Sequence, residues 1–414
     1  MTATQERAAR PATTAPGLWT RNFTLYFGAR VVSLFGDAMM PVAAALAVGR
    51  LYGISGVGYV MAVWTGSVVL FLLVGGVLAD KVGARAMMVG ADAVRFCAQG
   101  AVAVAFLTGT PSMGLLLATS LLSGVATAMF QPGVNGMVPL VAADPQRANA
   151  VLKIADAGAQ VAGPVLAGTL IALTDAGVAY TVDAATFLIS GLFLALIRGL
   201  PAAAKRVSAF LPDLREGWRE FRARSWMWSV IIIWVFFGLL VFGPSVPLGA
   251  RLVGDRLGEA AYGWVMAALG LGTVVGGLTA MVLRPARPLA AGGVALFGYT
   301  LVPLTLALQP ALPWLMAGHL VGGAAWAFWS VMWSTSVQTQ VPYAVLNRIT
   351  AYEVAGSVSG LAVGQALVGA YTLVLEPRDL LLVSAVTTLA VAAAVLLTRP
   401  VRRLRAVPAK APES

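Results

Sequence analysis

Twelve long apolar segments, each cut off by a short break rich in Gly, Pro or charge, limit what this chain can fold into more than any other feature of its sequence. They run over residues 22–50, 56–79, 86–109, 112–142, 147–174, 177–198, 226–250, 259–283, 288–309, 312–340, 346–375 and 378–398. About 20 apolar residues cross the hydrocarbon core of a bilayer as a helix. Backbone polar groups inside that core must be satisfied within the protein, which a helix does within its own segment. The expected fold class is therefore an all-α membrane protein of twelve transmembrane helices. With 59% of residues hydrophobic and 11% charged, and the charges bunched between the apolar runs, no soluble domain is available to house a catalytic triad. There is no phosphate-binding Gly-Lys-Ser/Thr loop and no cluster of metal ligands, so neither an enzyme, a metal nor a cofactor is expected.

An even number of spans puts both termini on one side. Of the 28 basic residues, only Arg50, Arg251, Arg256 and Arg378 fall on the opposite side, and Arg30 and Arg95 lie within spans. The rest line the side of the termini, which the positive-inside rule makes cytoplasmic. A net charge of +11 is then explained by loops facing anionic lipid, with no nucleic-acid partner. The first residues are polar and carry no cleavable signal. Cys97 lies alone in an apolar run and is expected to serve core packing.

The longest polar break divides the helices six and six. The implied organisation is a cytoplasmic tail over 1–21, a six-helix bundle over 22–198, a linker over 199–225, a second six-helix bundle over 226–398 and a basic tail over 399–414. In the linker, Leu214, Trp218 and Phe221 recur at helical spacing among charges, the pattern of a short amphipathic helix on the inner leaflet. A shift of 201 residues sets Arg147, Ala150, Gly163, Leu166 and Gly168 on Arg348, Ala351, Gly364, Leu367 and Gly369, as two parallel repeats predict.

Ionisable groups inside a span are costly and mark a cavity or a partner. They are Arg30 and Asp37 in the first segment, Asp92 and Arg95 in the third, Asp156 in the fifth, Asp183 in the sixth, His319 in the tenth and Glu353 in the eleventh. Arg30 and Asp37 stand two turns apart on one face. Asp92 and Arg95, one turn apart, read as a structural ion pair near the cytoplasm. Asp156 and Asp183 read as interhelical hydrogen-bond partners, and His319 as packed and hydrogen-bonded. Trp326, Trp329 and Trp333 form one stripe, which would suit either the wall of a ligand cavity or a face toward lipid. Gln131 and Asn135, one turn apart, could supply a few polar contacts to such a pocket. In the fifth segment Gly158, Gly163, Pro164 and Gly168 make a small-residue face with a kink, at the least a packing seam.

The break Gly76-Val-Leu-Ala-Asp80-Lys81-Val-Gly83-Ala-Arg85 resembles the signature loop between helices 2 and 3 of the major facilitator superfamily, with Ala84 in place of one arginine. Gly28-Ala-Arg30-Val-Val-Ser33-Leu-Phe-Gly36-Asp37 and Asp183-Ala-Ala-Thr-Phe187-Leu-Ile-Ser190 look most like its bacterial macrolide and siderophore efflux branch. The resemblance implies two pseudo-symmetric six-helix bundles alternating access to a central site lined by helices 1, 4, 7 and 10. It implies that Gly76, Asp80, Lys81, Gly83 and Arg85 form a cytoplasmic latch, and that Glu353 near Arg348 belongs to such a lock. It gives Asp37, with Arg30, a role in proton coupling or in binding a cationic substrate, structural pairing being the alternative. The fifth segment is similar to the Gly-Pro motif of exporters. The expected protein is a monomeric exporter in the bacterial inner membrane, contacting lipid and exchanging amphipathic small molecules for protons. A nutrient importer and a non-transporting receptor of the same fold are the alternatives.

Overall fold

The computed structural model describes residues 18–142, 144–200, 218–341 and 343–406, apart from the side chains of 73–81, 135, 146, 343–348, 350 and 351. Every regular element among them is a helix. The first, Arg21–Val82, would be about 93 Å long if straight, three times the thickness of the hydrocarbon core. It is broken at Gly53, whose φ of 63° and ψ of −166° no L side chain adopts comfortably, and so supplies spans 1 and 2. Spans 3 to 6 are Ala84–Leu107, Met113–Val141, Pro145–Leu173 and Ala176–Leu196. Spans 7 to 12 are Ser225–Leu257, Glu259–Val282, Pro288–Leu308, Leu312–Gln340, Tyr343–Val374 and Pro377–Leu397.

The starts are chemically marked. Ser112, Asp144 and Asp175 each accept a hydrogen bond from the backbone N–H three residues on, satisfying a donor the helix leaves open. Span 7 outruns its expected end at residue 250 because Arg251 and Asp255, one turn apart, pair at 2.7 Å and keep the last turns helical. It also contains a π-helical turn at Gly238–Phe242, and span 9 a 3-10 turn at Leu296–Thr300.

The spans form two six-helix bundles, and their apolar cores show how the bundles meet. One core, with Phe23, Met88, Phe130 and Leu194, belongs wholly to the first bundle, and another, with Met227, Phe237, Leu289 and Trp329, wholly to the second. Both lie toward the face that carries the chain ends. A third core, with Leu46, Val48, Ala167, Leu248, Tyr262 and Val368, draws on both bundles and lies at the far face. There the helices touch backbone to backbone. A Cβ on Gly168 would stand 2.7 Å from the carbonyl oxygen of Glu259, and one on Gly58 only 2.3 Å from that of Gln365. Small residues are what allow this approach. Arg50 and Glu259 bridge the bundles at the same face. Spans 5 and 8 stay in contact as far as Gly270, whose Cβ would stand 2.4 Å from the Gln160 carbonyl oxygen, whereas a Cβ on Gly158, nearer the chain ends, would have nothing within 4 Å. Among the described residues, the molecule is sealed at the far face and parted toward its termini.

Trp218 and Phe221, at the end of the linker, meet Tyr352 of span 11 at 5.6 and 6.2 Å, the first ring tilted and the second stacked. Of this amphipathic face Phe221 is buried against protein and Trp218 is left exposed, while Leu214 lies outside the described residues. Cys97 is exposed on span 3 and takes no part in a core, contrary to expectation.

Candidate functional site

Four spans of the first bundle bring a set of charges together. Arg95 of span 3, 2% exposed, donates from Nη1 to Asp37 Oδ1 of span 1 at 3.1 Å. Its Nη2 lies 3.7 Å from Asp92 Oδ1. The guanidinium is held between the rings of Phe130 of span 4 and Phe187 of span 6, 4.4 and 4.7 Å from their centroids. A cation over an aromatic face keeps part of the stabilisation it loses by leaving water. Arg30 lies over the Phe130 ring at 5.2 Å. Asp92, fully buried, accepts from Ser190 Oγ at 2.6 Å.

The sequence pairings are corrected here. Asp37 is bonded to Arg95 and not to Arg30, since the two-turn spacing aligns Arg30 and Asp37 on one helix without bringing them into contact. Asp92 and Arg95 do pair along span 3 as expected, and the pair is also part of a network between helices through Asp37 and Ser190. Asp183 is not a hydrogen-bond partner of another helix: it is buried, and neither carboxylate oxygen has a hydrogen-bond partner. Asp156 pairs weakly along its own helix with Lys153, at 4.0 Å. The two motifs that suggested an exporter, Gly36-Asp37 and Asp183 to Ser190, meet directly. A Cβ on Gly36 would stand 2.6 Å from Asp183 Oδ1 and 2.3 Å from Thr186 Oγ1, so glycine is what admits span 6. Phe130, Phe187 and Ser190 went unnoticed as members of this site. The spacing of Asp183, Phe187 and Ser190, which puts them on one helical face, was the available signal.

Asp37 is the member that opens outward, with 38% of its side chain exposed, while its partner Arg95 is sealed in. Span 5 packs beside it, Gly163 lying against Ala38 and Met39. Gly168 and the carbonyl of Pro164 meet Gly263 of span 8 instead, so the Gly-Pro helix joins the neighbourhood of Asp37 in one bundle to the other bundle. Gly158 meets nothing.

The tryptophan stripe faces neither an open cavity nor lipid along its length. Trp329, 2% exposed, stacks on Trp234 of span 7 at 4.9 Å and covers Gly292 of span 9. Trp333 is buried against Trp226 and donates from Nε1 to Glu353 at 2.8 Å. Glu353 thus has an indole partner, and the Arg348 side chain lies outside the described residues. Only Trp326 is partly exposed, at the edge of a ring cluster with Phe242 and Tyr299. Gln131 is exposed, and the Asn135 side chain lies outside the described residues. His319 is buried and bonded to the Leu315 carbonyl at 2.8 Å.

Of the loop after span 2, the side chains of Asp80 and Lys81, like Gly76, lie outside the described residues. Gly83 turns the chain with φ 91°. Arg85 donates to the carbonyls of Leu194 and Ala195 at 3.0 and 2.5 Å, capping the end of span 6.

The model of the family described as transmembrane secretion effector, of the major facilitator type, matches residues 12–413. The "Enterobactin exporter EntS" of Escherichia coli O139:H28 (strain E24377A / ETEC) is 26% identical over 371 residues, 86% of each chain. Among solved structures, the nucleoside transporter NupG superposes with a TM-score of 0.75 at 14% identity, over 91% of this chain and 98% of that one. A bacterial homologue of the iron transporter ferroportin, in its inward-facing state, superposes with a TM-score of 0.72 at 16% identity, over 90% and 97%.

Proposed function

Because the chain belongs to the transmembrane secretion effector family of major facilitator transporters, we propose that it exports amphipathic small molecules, of the kind of macrolide-like natural products or siderophores, in exchange for protons. The observation that carries this reading is the junction of a half-exposed carboxylate, Asp37, with a sealed guanidinium, Arg95, inside an otherwise apolar bundle. A group placed so can be wetted in one arrangement of the bundles and dried in the other, which is what links protonation to rocking. The similarity to an enterobactin exporter supports the direction of transport.

In this reading the termini are cytoplasmic, the protein acts as a monomer in the inner membrane, and the parted face is the loading side. The loop containing Asp80 acts as the latch when that side closes. Trp326 and Gln131 contribute to the substrate surface.

Cells making the protein should accumulate less of a labelled amphipathic compound than cells without it, and collapsing the proton gradient should remove the difference. Asp37→Asn, expressed at equal level, should lose gradient-driven efflux while keeping counterflow exchange of a neutral substrate. Uphill export by that variant would overturn the coupling role.

A further inference from the structure

Three carboxylates, Asp37, Asp92 and Asp183, share the interior of the first bundle with two guanidinium groups, Arg30 and Arg95. Asp37 and Asp92 have Arg95, and Asp92 also has the Ser190 hydroxyl. Asp183 is left over. It is buried, and neither oxygen accepts a hydrogen bond. An unpaired carboxylate in such a place is costly enough that it takes a proton instead. The groups that act on it are Asp37, beside Gly36 on span 1, Arg95 on span 3, and Thr186 and Tyr180 on its own helix. No hydroxyl among them donates to it: Thr186 spends its own on the Asp183 carbonyl, at 2.6 Å.

We propose that the coupling proton resides on Asp183, and that Arg95 exchanges Asp37 for Asp183 when the proton is released. As the guanidinium swings to Asp183, the proton leaves its carboxyl oxygen and Asp37, losing its cation, takes it up. The charge of the cluster does not change in this transfer. Asp37, the exposed member, then gives the proton to water on the parted side. The inference rests on the proton exchange proposed above, but its test does not require transport.

The test is infrared spectroscopy of the purified full-length protein at neutral pH. Wild type should show the carbonyl stretch of a protonated carboxyl group at the high-frequency end that marks the absence of a hydrogen bond, slow to shift in D2O because the group is buried. The band should be lost in Asp183→Asn, with the thermal midpoint retained as the check on folding. It should stay in place in Ser190→Ala, which alters only the surroundings of Asp92. Absence of the band in wild type, its survival in Asp183→Asn, its displacement in Ser190→Ala or rapid exchange in D2O would each overturn the assignment. In proteoliposomes Asp183→Asn should lose accumulation driven by a proton gradient and keep downhill flux. Accumulation by this variant would overturn the assignment, whereas a wild type that moves no amphipathic compound while showing the band would sink the exporter reading alone.

Discussion

Arg95 is sealed from water, and what replaces it is a hydrogen bond from Nη1 to a carboxylate of span 1, a second carboxylate one turn away and a ring on each side, with Nε and Nη2 left without a hydrogen bond. Removing the guanidinium leaves Asp92, fully buried, with a single hydroxyl for a partner. Breaking a buried pair from one end costs about 3–5 kcal/mol, so Arg95→Met should lower the thermal midpoint in detergent sharply. Arg30→Met, which loses chiefly a ring contact, should cost about 1–2 kcal/mol. Equal midpoints for the two variants would show that Arg95 is not the keystone of the cluster. The sequence marks all five charged residues as anomalous in an apolar setting. Spacing along one helix finds the Asp92–Arg95 pair but cannot find the bond from Arg95 to Asp37, which is made between helices.

At the level of the helix, span 10 illustrates the same division. Its three tryptophans do share a face, as their spacing requires, but the space that face meets is set by Trp226 and Trp234 of span 7 and by Gly292 of span 9. Nothing in the spacing of one helix announces neighbours so far away in the chain. Trp329→Ala should therefore act on stability, costing about 3–5 kcal/mol as a large cavity opens, read as a fall in thermal midpoint with or without substrate. Trp326→Ala should cost less stability and instead weaken binding of an aromatic compound. Spans 5 and 8 are simpler to read, since repeated glycines predict close approach whatever the partner. The sequence left open only that the partner of Gly168 is Gly263, in the other bundle.

For the whole molecule, the expected twelve helices follow from the lengths of the apolar runs and the two bundles from the long polar break and the resemblance, whereas the arrangement of the bundles has no counterpart in the sequence. Contact between them is concentrated at one face, where a shared apolar core is topped by the Arg50–Glu259 bridge. That bridge is partly exposed, 48% for Arg50 and 23% for Glu259, so it contributes no more than about 1 kcal/mol. Glu259→Gln should accordingly shift the population toward the alternative arrangement by about fivefold at most and leave the fold intact. In a Cys97→Ser background, a cysteine introduced by Val57→Cys, beneath the bridge, should be labelled faster from the far face when Glu259→Gln is added. An unchanged rate would mean that the apolar core alone holds the seal. Among the described residues, the one ion pair between spans inside the membrane, Arg95–Asp37, lies in the first bundle, while the second is held by rings, glycines and the Trp333–Glu353 hydrogen bond. In the exchange proposed above the proton rides on the first bundle, which is then the body the membrane voltage acts on. A proton carried inward by that body gains about 2.3 kcal/mol for every 100 mV it crosses. Exchange of a neutral substrate should then be electrogenic, and a membrane potential without any pH difference should suffice to drive it.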